Sequence, residues 1–139
     1  MAIFLSTQNQ VLVNGIDLTD HCQKVTTIDD RDKVEITAMG AVNKVYAKGL
    51  GDGGCDIDFF QDFAAGKVHA TLSPLIGGTT AFPVEVRPLT AARSATNPAF
   101  LIQALLFSYP MLDGAVGDAA MVSVHFDNAS QAGVTYPIA

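Results

Sequence analysis

Apolar and polar positions alternate with a period of two through most of the chain, the spacing of strands with one buried face. Gln10-Val11-Leu12-Val13 is the first predicted strand, stopped by the turn dipeptide Asn14-Gly15. Asp17 to Cys22 reads as a helical turn or loop. The β-branched stretch Gln23 to Ile28 follows, ended by the charged cluster Asp29-Asp30-Arg31-Asp32. Val34 and Ile36 then alternate with Glu35 and Thr37. From Thr37 to Gly54 the pattern is lost among five glycines, which predicts a long arm or loop projecting between two strands.

The clearest alternation puts Cys55, Ile57 and Phe59 on one side and Asp56, Asp58 and Phe60 on the other. From Asp62, a candidate N-cap, to Gly77-Gly78 the spacing turns helical, with Ala64, Val68, Leu72 and Leu75 or Ile76 on one stripe. Pro74 is expected to end or kink that helix near Ser73. Strand character returns at Phe82, Val84 and Val86, in the doubly apolar run Ala99–Phe107, and at Val122, Val124 and Phe126 with His125 outward. The tail from Asp127 is expected to be irregular, with Val134 to Ile138 available to pair with a neighbour. The pattern predicts one α+β, mainly β domain over residues 1–139, a β-sandwich or barrel with one flanking α-helix and a long projecting loop.

Composition narrows the function. The 139 residues suit a single core, and no apolar run nears the roughly 18 residues that span a bilayer. Met1 to Leu5 lacks the basic and long apolar segments of a secretory leader, so synthesis in the cytoplasm is expected. A net charge of −6 with dispersed Lys and Arg speaks against a protein that grips nucleic acid. Cys22 and Cys55 have no metal-site spacing and read as small buried apolar residues.

Candidate chemistry is sparse. His21, His69 and His125 fall on different elements without paired spacing, and the glycines around Leu50 precede a strand instead of opening a helix. Asp56 and Asp58 share a strand face, where two carboxylates can hold a cation, divide acid and base roles, or simply face water. No nucleophile elbow is present. No catalytic residue, metal or cofactor is predicted.

Several segments together resemble the major tail, or tail tube, proteins of long-tailed phages. They are Val11 to Thr19, Val34–Thr37 with the Gly-bearing loop after it, Gly49-Leu50 before the acidic strand, Arg93 to Pro98, and Gly114 to Asp118. The resemblance implies a virion protein, made in the host cytoplasm, whose copies close into rings, six to a ring in that family, and stack into a tube. Its partners would be copies of itself and tail proteins such as the tape measure and terminator, with DNA as non-sticking cargo and no membrane. Asp56, Asp58 and Glu85 are the candidates for lining the lumen, because carboxylates there repel phosphate. Lys44, Lys48, Leu50 and Arg93 are the candidates for contacts between subunits or rings. Such proteins often have a longer chain or an added surface domain, and neither is expected here. A minor tail, tail-terminator or baseplate accessory module is the alternative role.

Overall fold

The computed structural model describes residues 3–139; Met1 and Ala2, part of the segment without leader features, lie outside the described residues. Seven strands form one antiparallel sheet: β1 (Gln10–Val13), β2 (Ile16–Asp17), β3 (Cys22–Glu35), β4 (Tyr46–Phe60), β5 (Phe82–Arg87), β6 (Phe100–Leu106) and β7 (Met121–Asn128). Their order across the sheet is β2-β1-β5-β6-β7-β4-β3. One helix, α1 (Val68–Ile76), and a single 3₁₀ turn, Thr19–His21, complete the architecture among the described residues. The mainly β class with one helix is as expected.

Alternation fixes which face is buried. Val11 and Val13, Val84 and Val86, Ile102 and Ala104, Val122 and Val124, and Ile57 and Phe59 all enter one core, where Phe82 meets Phe126 edge-on at 5.8 Å. Val68 and Leu72 of α1 join it with Leu18. Asn14 and Gly15 both adopt positive φ, 51° and 79°, the conformation a two-residue type I′ hairpin requires between Val13 and Ile16.

Five local expectations are corrected. The cluster Asp29–Asp32 does not end a strand, because β3 runs on to Glu35 while β4 pairs with it from Tyr46. The loop expected over 37–54 shrinks to 36–45, and four of its five glycines, all but Gly40, lie within β4. There the neighbouring side chains fill the space a Cβ would need: Val134 over Gly53, Arg31 over Gly51, Asp32 beside Gly49. The helix begins at Val68, not after Asp62, whose Oδ1 instead accepts the Ala64 amide at 2.9 Å in a turn. Pro74 sits inside the last turn, and the helix continues two residues beyond it to Ile76. Finally, β6 alternates between buried and exposed positions, with Gln103 exposed, so only one of its faces is fully covered.

The tail is ordered within the chain. Thr135 exchanges two backbone hydrogen bonds with Leu101, both 3.0 Å, and the Ala99 amide donates to the Pro137 carbonyl. β6 thus pairs with β7 over Ala104–Leu106 and with the tail at Leu101.

Candidate assembly surfaces

Three surfaces stand out: the polar face of the sheet, the ion pair around Glu85, and the arm made by the distal halves of β3 and β4.

On the polar face, Asp56 pairs in register with His125 and Asp58 with Ser123, while Thr26 and Lys24 of β3 flank the two aspartates. His125 is gripped on both ring nitrogens, by Asp56 at Nδ1 (2.5 Å) and Asp127 at Nε2 (2.9 Å). An imidazole donates from both nitrogens only when protonated, so the geometry selects the cation. Its pKa is raised, mainly by the hydrogen bond to Asp56, against a smaller cost of burial. Asp56, His125 and Asp127 are all about half exposed, so this is a solvated strip.

His21 has the same arrangement on the 3₁₀ turn. Asp20 and Asp62 each lie 2.8 Å from one of its nitrogens, and the Asp20 hydrogen bond leads the upward shift of its pKa. This contact ties the 3₁₀ turn to the segment that leads into α1. His69 is engaged differently: its Nδ1 lies 2.7 Å from the Tyr109 hydroxyl, which also accepts from Gln61 Nε2 at 3.0 Å.

Glu85 alternates with core positions but is itself buried. The 88–98 loop brings Arg93 Nε to within 2.5 Å of its carboxylate, and Arg87 Nε stands at 3.6 Å. The Glu85 hydrogen bond is the leading cause of the raised pKa of Arg93. That loop is held by Asn97, also buried, whose side chain accepts from the Leu89 amide and donates to the carbonyls of Leu89, Ala91 and Ala92.

The arm is the unusual part. From Asp29 to Asp52 every residue except Ala47 is exposed, although the strands pair regularly up to Glu35 and Tyr46. Met39, Val42 and Leu50 are 104%, 96% and 81% exposed, which is as open to water as an apolar side chain can be. Lys44 is in the connecting loop; Lys48 lies directly across from Lys33, whose ammonium sits 4.0 Å over the Tyr46 ring. A two-stranded ribbon with no core of its own is marginal in water, and like charges opposite one another weaken it further.

Among solved structures the same arrangement of strands recurs. One chain in the virion of a native gene transfer agent particle superimposes with a TM-score of 0.71 at 8% identity, over 94% of this chain and 95% of that one. A chain in the tail of an empty gene transfer agent particle, of C6 symmetry, matches with a TM-score of 0.67 at 9% identity over 99% of both. The chain has the fold of phage-tail proteins. Dit of phage SPP1, a hub of the adsorption apparatus in phages infecting Gram-positive bacteria, matches with a TM-score of 0.52 at 16% identity, over 88% of this chain and half of Dit. No protein-family model matches the sequence, and no curated protein matches it significantly.

Within this tail-protein fold the sequence-derived candidates separate. Asp56 and Asp58 share the polar face, whereas Glu85 and Arg93 neutralise one another inside the protomer. Lys44, Lys48 and Leu50 gather on the arm. Sequence reading missed the clamps on His21 and His125, because each draws a carboxylate from a distant segment; only Asp20 beside His21 and Asp127 two residues from His125 were near enough to hint at them. The two cysteines are free, and burial pushes Cys22 up to about 11 and Cys55 up to about 12, so both remain thiols at neutral pH. Among the described residues no group of three His, Cys, Asp or Glu is placed to hold a metal, and no helix is long and apolar enough to cross a membrane.

Proposed function

We propose that this chain is a structural tail protein of a virion, whose copies close into rings that stack as a DNA-conducting tube. The observation that carries the reading is the likeness to a chain of a C6-symmetric tail over 99% of both chains. The bare arm supports it, since a ribbon exposed on both faces is stable only when a neighbour covers it. The C6 symmetry of that tail supports six copies per ring. The role is architectural, not catalytic.

In this assembly the polar face carrying Asp56, Asp58 and Asp127 lines the lumen, where carboxylates keep DNA from sticking. Lys44, Lys48 and Leu50 meet a neighbouring copy. Glu85 and Arg93 serve a different end, holding the 88–98 loop in shape. Other tail proteins, the tape measure and terminator among them, are the further partners, and assembly takes place in the host cytoplasm.

A single-ring hub or baseplate role is the second reading, favoured by the likeness to Dit. Negative-stain microscopy and light scattering of the purified protein separate the two. Stacked tubes of constant diameter are expected; solitary rings would favour the hub, and a monomer at high concentration would overturn both.

A further inference from the structure

The arm is polarised in charge. Its distal part, 33–48, carries Lys33, Lys44 and Lys48 against one acid, Glu35; its root carries Asp29, Asp30, Asp32 and Asp52 against one base, Arg31. Beside that root lies an open apolar groove of about 560 Å³, lined by Val25, Val86, Leu89, Ala99, Phe100 and Tyr136. Tyr136 also donates to Asp29 Oδ2 at 2.7 Å, so the groove wall and the acidic root are one continuous surface.

We propose that the tip of the arm of one copy, residues 36–45, seats in the groove at the root of the arm of the next. This deepens the self-assembly reading and rests on it. Three features of the molecule support the pairing. Ile36, Met39 and Val42 offer apolar surface that the protomer leaves in water, and the groove offers apolar surface of similar character. The tip loop holds one charge, Lys44, and the groove one, Arg87, whose Nη1 already donates to the Ala91 carbonyl at 2.7 Å, so little charge is stripped of water on docking. The basic distal part then lies against the acidic root, which sets the direction of insertion.

Tip and root are different patches, so the contact is heterologous. Two copies cannot satisfy it mutually by necessity of symmetry; each added copy presents a new free groove until the chain closes on itself or extends. The arm is therefore a polymerising element.

The test uses two full-length variants. Met39→Asp/Val42→Asp spoils the tip and leaves the groove; Leu89→Asp spoils the groove and leaves the tip. Each alone should remain monomeric in sedimentation velocity, and an equimolar mixture should give a one-to-one dimer that grows no further. A charge exchange provides the second arm: Lys44→Glu/Lys48→Glu should lower the assembled fraction at least ten-fold, and adding Asp30→Lys/Asp52→Lys to that chain should restore it. Normal assembly by Leu89→Asp, or failure of the exchange to rescue, overturns the groove as acceptor while leaving self-assembly intact. A wild-type chain that never assembles overturns both.

Discussion

The Tyr136 hydroxyl donates to Asp29 Oδ2 across 2.7 Å and so fastens the C-terminal tail to the point where the arm leaves the sheet. Asp29 also accepts from Arg31, and the Tyr136 bond is the foremost cause holding its carboxyl below the ordinary value of 3.8. Tyr136→Phe should leave the core intact and loosen the arm root. Hydrogen exchange of the amides in 29–35 should quicken several-fold with unchanged rates in β6; equal rates throughout would mean that the tail does not brace the arm. Because the folded pKa of Asp29 is lowered, its stabilising contribution is present above pH 3.8 and fades as pH falls through the folded value.

Gly53 and Val134 form a second joint between tail and arm. A Cβ built on Gly53 would come within 2.4 Å of Val134 Cγ2, and valine is too stiff at χ1 to step aside. Gly53→Ala should cost about 1–3 kcal/mol by overpacking. Most of that loss should return in Gly53→Ala/Val134→Ala, measured by urea unfolding. Additive losses would show that the two sites are independent.

Removing Glu85 leaves Arg93 and Arg87 facing each other without their carboxylate. Glu85→Gln should cost about 1.5–3 kcal/mol, the range for a hydrogen bond to a charged group, and should raise protease sensitivity within 88–98. A Glu85→Gln chain as stable as the wild type would indicate that the loop is held by Asn97 alone.

For His125, the sign of the pH dependence follows from its raised pKa. The clamp stabilises fully below the unfolded value of about 6.5 and is lost as pH rises through the folded value. Asp56→Asn should bring the His125 midpoint, read from its ring resonances by NMR, back toward 6.5. An unmoved midpoint would assign the shift to Asp127.

The lumen assignment has its own test in Asp58, chosen because His125 does not depend on it. Particles built with Asp58→Lys should assemble and deliver DNA more slowly, as phosphate lingers on the added ammonium. Unaltered delivery would move the polar face to the outside of the tube.

Period-two patterning gave β1, β5 and β7 nearly to the residue, because each has one face in the core and one in water, and an error of one position would reverse both. Asn14-Gly15 announced its hairpin for a local reason, positive φ at both residues. The arm defeated the same reading. Its strands have no buried face, so nothing selects apolar residues at alternate positions, and the glycines that look like loop breakers are sites where Val134, Arg31 and Asp32 lie across the strand.

What the sequence determined alone was what local spacing controls: a mainly β chain with one helix, and an acidic polar strand face at Asp56 and Asp58. Tertiary structure decided which carboxylates remain free and which are consumed, since Glu85 meets Arg93 only when the 88–98 loop folds back on β5. It also decided that the glycine-rich stretch is a strand, and that the tail completes the edge of β6. Those outcomes depend on segments far apart in the chain meeting in space, and side-chain period carries no information about such meetings.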